Sequence, residues 1–160
     1  QWQTTRWPIG NWHSLILKIL QETGYSICLI GVESELQMLT SLLEPLPRHL
    51  RDRFSMAISW PLKEIAALIA SSSGVVCHNS GILHLSAILK QKTISITGSS
   101  AVYWRPPYPW VQNVTSGECS LACNRYRCPV PFFRAKCISG LGVEKVWQSI
   151  VCHFRLEELN

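Results

Sequence analysis

Apolar residues recur at helical spacing through Trp12, Leu15, Ile16, Ile19 and Leu20, and Gly24 follows where such a helix should stop. The pattern then changes. Ile27-Cys28-Leu29-Ile30 is an unbroken apolar run closed by Gly31, which predicts a short strand covered on both faces, as parallel strands are. Leu36, Leu39 and Leu43 restore the helical period over residues 33–44, and Pro45 ends it. Pro61 suits the first turn of a further helix that buries Leu62, Ile65, Ala66 and Ile69 before Ser71-Ser72-Ser73-Gly74 breaks it. Val75-Val76-Cys77 predicts the next strand. Asn79-Ser80-Gly81 then turns the chain into a helix over 82–89, and residues 93–97 form a strand closed by Gly98.

Strands alternating with helices over such short distances predict an α/β domain with a mostly parallel sheet and right-handed crossovers. Ligands on such sheets sit at the carboxyl ends of the strands. Beyond Gly98 the rhythm gives way to a loop of prolines and aromatics, Trp104 to Trp110, and then to a group of cysteines. A last helix carries Val143, Val146, Trp147 and Ile150 on one face. The reading is one domain over residues 1–160, with a Cys-rich loop at about 117–140.

Composition narrows the classes. With 47% hydrophobic and 16% charged residues the 160-residue chain can fill a core, and no apolar run reaches the roughly 18 residues of a membrane span. No basic-then-apolar leader opens it, so the expectation is a soluble, cytoplasmic protein. The net charge of +5 comes from scattered Lys and Arg, which argues for a solvated surface and against a nucleic-acid arm, while suiting an anionic small ligand.

Of the seven cysteines, Cys28, Cys77 and Cys152 lie in apolar or helical patterns and read as packing residues. Cys119, Cys123, Cys128 and Cys137 crowd into 19 residues and supply four soft ligands, enough for a tetrahedral zinc or iron. Reduced thiols and disulfides are the alternatives.

The turn at Asn79-Ser80-Gly81 makes an anion site on general grounds, since unpaired backbone N–H groups and the positive end of the helix dipole face one spot. Gly81 leaves room for a phosphate to approach, and His84, about one turn on from Ser80, can share that face. The simpler alternative is that Asn79 or Ser80 merely caps the helix.

The stretch from Val75 to Ala87, with His78-Asn79-Ser80-Gly81-Ile82-Leu83-His84 at its centre, resembles the signature of glycosyltransferase family 9, the ADP-heptose:lipopolysaccharide heptosyltransferases, in which a strand runs into Asp-Ser/Thr-Gly-x-x-His. Other segments match in the same order. Arg6-Trp7-Pro8 is similar to the family's basic-Trp-Pro opening, which implies Thr4, Thr5 and Arg6 as phosphate contacts. Gly31 to Glu35 looks like its Gly-x-x-x-Glu turn, which implies Glu35 for the nucleoside ribose. The segment from Ser59 to Ile69 resembles the one flanking the donor base, which implies Trp60. One departure is chemical: Asn79 stands where the family has an acid.

The resemblance implies a Rossmann-like three-layer domain, the C-terminal half of a glycosyltransferase B fold, and an inverting transfer from a nucleotide sugar, ADP-heptose-like, in cell-surface glycan or lipopolysaccharide assembly. Asn79, Ser80, Gly81 and His84 would hold the donor with the residues above. No cofactor is implied for the chemistry beyond the donor itself, and a structural zinc or iron at the cysteines is in keeping with Cys-rich loops in the family. The catalytic base is expected on an N-terminal acceptor-binding half, so the expected partners are a separate acceptor domain or a second copy of this chain, at the inner face of the cytoplasmic membrane. The competing reading is a sugar-nucleotide-binding module without transfer activity.

Overall fold

A computed structural model describes residues 6–98, 105–117, 128 and 135–155. Contacts group the chain into two compact units, one of Ile9–Ala67 and one of Gln1–Pro8 with Leu68–Asn160.

In the Ile9–Ala67 unit, helix α1 (Ile9–Glu22) buries Leu15, Ile16 and Leu20, three of the positions that set its period. Its carboxyl end leaves carbonyls without helical partners. Arg53 supplies them: Nη1 donates to Thr23 O (2.8 Å) and Tyr25 O (3.2 Å), and Nη2 donates to Leu20 O. Strand β1 (Ile27–Gly31) pairs in parallel with β2 (Phe54–Ile58), in a register running from Ile27 opposite Phe54 to Gly31 opposite Ile58.

The crossover between these strands holds a 3₁₀ turn (Glu33–Glu35), helix α2 (Leu36–Leu43) and the short helix α3 (Arg48–Arg51). The helix expected over 33–44 is therefore α-helical only from Leu36. Leu39 and Leu42 of α2, Leu46 of the following turn and Leu50 of α3 join Ile16 and Leu20 of α1 in one core. Each such side chain contributes about 1.5–3 kcal/mol on leaving water.

Helix α4 (Leu62–Ser71) follows Pro61 as expected; Ile65 and Ile69 are buried, while Leu62, 72% exposed, is not. The other unit carries a three-stranded parallel sheet of order β3-β4-β5, from β3 (Val75–His78), β4 (Thr93–Ile96) and β5 (Val111–Val114). All four residues of the central strand are buried.

Helix α5 (Gly81–Ile88) connects β3 to β4 and sinks Leu83, Ser86 and Ala87. Two polar side chains beside it have partners: Thr93 Oγ1 lies 3.0 Å from Ser86 Oγ, and the Trp110 indole N–H donates to Ala87 O at 2.8 Å. Beyond α6 (Lys136–Ser139), helix α7 (Val143–Phe154) buries Val146, Trp147 and Ile150, three of the four residues that predicted its inner face, and packs on β4 and β5. Among the described residues no helix is long and apolar enough to cross a membrane.

Candidate functional site

The carboxyl end of β3 is where the sequence placed its anion site, and the local geometry there is that of an uncapped helix start. β3 ends at His78, Asn79 is half-buried, and Ser80 is an extended N-cap residue with φ −150° and ψ 178°. The Ser80 side chain makes no capping hydrogen bond; only its carbonyl takes part, accepting from Leu83 N–H at 3.1 Å. Simple capping by Ser80 is thus not what this residue does. Gly81 is exposed, and a Cβ built on it would meet nothing within 4 Å. The start of α5 at Gly81 is therefore sterically open, with the positive end of the helix dipole there.

His84 stands exposed on the same helix, one turn further on. Arg6 is exposed too, but the residue after it is not: Trp7 is 3% exposed and anchored twice. Its indole N–H donates to Leu141 O at 2.7 Å, and its backbone N–H donates to Nε2 of His78 at 3.0 Å. Because Nε2 accepts, the imidazole is neutral with its proton on Nδ1. Burial, and then the positive charge of Arg6, push the His78 pKa down to about 4, which agrees with that tautomer. No local pattern singles out His78, because its partner lies 71 positions away.

In the Ile9–Ala67 unit the turn after β1 is tied to the turn after β2. Ser59 N–H donates to Gly31 O (2.9 Å), and Glu33 N–H donates to Ser59 Oγ (3.0 Å). Ser59 holds φ at 53°, a left-handed conformation that costs a non-glycine residue about 1 kcal/mol or more and tends to persist at functional turns. Glu35 folds its carboxylate back onto the same turn, Oε2 accepting from Val32 N–H at 3.3 Å. Trp60, next to Ser59, is 46% exposed.

Thr4 and Thr5 lie outside the described residues, as do Cys119 and Cys123. The metal expected at the cysteine group is corrected by the structure: among the described residues no group of three or more His, Cys, Asp or Glu could hold an ion. The physical reason is visible at Cys137, a free thiol buried in α6 beside Ile138, where it acts as a small apolar side chain. Cys128 is half-buried.

Comparison with known proteins gives a consistent result. The model of glycosyltransferase family 9 (heptosyltransferase) matches residues 1–132. Lipooligosaccharide heptosyltransferase 2 of Haemophilus influenzae is 27% identical over 103 residues, which is 64% of this chain and 30% of that protein. The Haemophilus ducreyi protein of the same name is 28% identical over 105 residues, with the same shares. Among solved structures, Escherichia coli ADP-heptose lps heptosyltransferase II superposes with a TM-score of 0.79 at 18% identity, over 97% of this chain and 44% of that one. A family 9 glycosyl transferase from Veillonella parvula gives 0.74 at 16% identity, over 95% and 42%. These structural matches establish the α/β, Rossmann-like fold. The chain spans less than a third of the length of the curated relatives it matches.

Proposed function

Since this chain belongs to glycosyltransferase family 9, we propose that it is the donor-binding part of a glycosyltransferase that uses a nucleotide sugar, ADP-heptose-like, in cell-surface glycan or lipopolysaccharide assembly. The observation that carries this reading is the β3–α5 turn, where a helix start without a side-chain cap opens at a glycine that has free space before it. Backbone amides, the helix dipole and the guanidinium of Arg6 favour a diphosphate. Arg6 and His84, with Thr4 and Thr5, are assigned to the donor phosphates, and Asn79, Ser80 and Gly81 to the turn that receives them. Glu35 and Trp60 are assigned to the ribose and the base.

In the transfer so proposed, an acceptor hydroxyl attacks the anomeric carbon while the bond from that carbon to the diphosphate oxygen breaks. Negative charge grows on the departing diphosphate, and the residues named here stabilise it. The proton of the hydroxyl goes to a base on an acceptor-binding partner. That chemistry belongs to the cytoplasmic side of a membrane, where nucleotide sugars are available.

Isothermal titration of the chain with ADP and with ADP-sugars tests the reading. Arg6→Ala combined with His84→Ala should weaken ADP binding at least tenfold, and an unchanged affinity would sink it. Asn79, in place of the family's acid, favours a second reading, a binding module without transfer activity. A glycosyl-transfer assay with a supplied acceptor domain separates the two: turnover supports the enzyme, and binding without turnover supports the module.

A further inference from the structure

We infer that His78 is a positioning residue for the diphosphate site, acting through the Arg6–Trp7 peptide; the inference rests on the donor reading above. The atom that His78 holds is the amide N–H of Trp7, and that N–H belongs to the planar peptide unit whose other end is Cα of Arg6. A hydrogen bond to it therefore fixes where the Cα of Arg6 sits. The indole bond to Leu141 O and the burial of Trp7 hold the side chain of the same residue. On the other side, His78 is the last residue of β3, two residues before the N-cap of α5. One hydrogen bond thus joins the backbone that carries the cation to the backbone that opens the anion site.

An imidazole suits this task only while neutral, because a protonated ring has no lone pair for the amide. The half-buried setting and the charge of Arg6 keep it so. Arg6 is itself exposed, with a long flexible side chain, so anchoring its Cα in advance reduces what ligand binding must order.

The test is ADP titration of the whole chain and of four variants, each checked for a cooperative thermal melt. His78→Leu should weaken ADP binding about fivefold to twentyfold, whereas His78→Asn, whose amide oxygen can accept the same bond, should stay within about twofold of the natural chain. Arg6→Ala should weaken binding in the natural background and add little on top of His78→Leu, because both remove one effect. If Arg6→Ala weakens binding and His78→Leu does not, or if the two losses add, positioning by His78 is overturned while the donor site stands. If Arg6→Ala binds ADP as the natural chain does, this inference fails, while the donor reading is decided separately by the combined Arg6→Ala and His84→Ala variant. Should His78→Leu not fold, nitrogen NMR of the imidazole in ADP-saturated natural protein decides: an unprotonated Nε2 supports the inference, and a protonated one overturns it.

Discussion

The ring tip of Phe154, in the last turn of α7, occupies the space that a side chain at residue 74 would need: a Cβ built on Gly74 would lie 2.6 Å from Cζ and 2.7 Å from Cε2. Gly74 directly precedes β3, so the absence of a side chain there lets the end of the last helix close on the start of the strand that leads to the candidate site. Gly74→Ala should cost about 1–3 kcal/mol through overpacking. Adding Phe154→Leu should recover part of that loss, measured as the melting temperature of the double variant against each single one.

Arg53 should matter more for stability than its charge suggests. Its guanidinium serves three carbonyls at the end of α1, and charge-assisted bonds of this kind contribute about 1.5–3 kcal/mol. Arg53→Ala should lower the unfolding free energy, read from urea titration, by about 1.5–3 kcal/mol. Arg53→Lys should recover less than half of it, because an ammonium cannot reproduce the fork.

Acid should destabilise the fold through His78. Its pKa is about 4 when folded and about 6.5 when unfolded, so between those values the unfolded chain binds more protons. The contribution is complete above about pH 6.5, falls by up to about 1.4 kcal/mol per pH unit as the pH drops, and levels off below about 4. Unfolding free energies of the natural chain minus those of His78→Asn, taken across that range, isolate this contribution from the other histidines. A pH-independent difference would refute it.

Native thiols should differ widely in reactivity. Burial pushes the Cys77 thiol up to about 12, leaving almost no thiolate near neutrality, whereas Cys152 is exposed on α7. Brief alkylation at pH 8 followed by peptide mapping should label Cys152 and spare Cys77. Equal labelling of both would contradict the buried placement of Cys77.

Much of the architecture was legible because burial imposes a period. Leu15, Ile16 and Leu20 in α1 and Val146, Trp147 and Ile150 in α7 are repeated demands of one covered face, and they appear in the linear order of residues. The apolar run of β1 marked a strand, although its five residues are half-buried rather than covered on both faces. β2 and β5 were not legible. Phe54-Ser55-Met56-Ala57-Ile58 is short and follows a charged stretch, and Val111-Gln112-Asn113-Val114 has polar residues at its centre. Both become strands by pairing, β2 with β1 and β5 with β4, and pairing is a property of two segments rather than one.

The candidate site divides in the same way. The turn at Ser80 and Gly81 could be found in the sequence, because a strand, a small-residue bend and a helix start are consecutive along the chain, and the resemblance to a known family runs through those same residues. That Ser80 leaves the helix uncapped, that Glu35 turns back on its own loop and that His78 grips Trp7 were decided only by tertiary structure. Periodicity reports which face of an element is covered. It carries no information about which lone pair meets which N–H, since that depends on the packing of segments as far apart as 71 residues and is settled when the whole chain is in place.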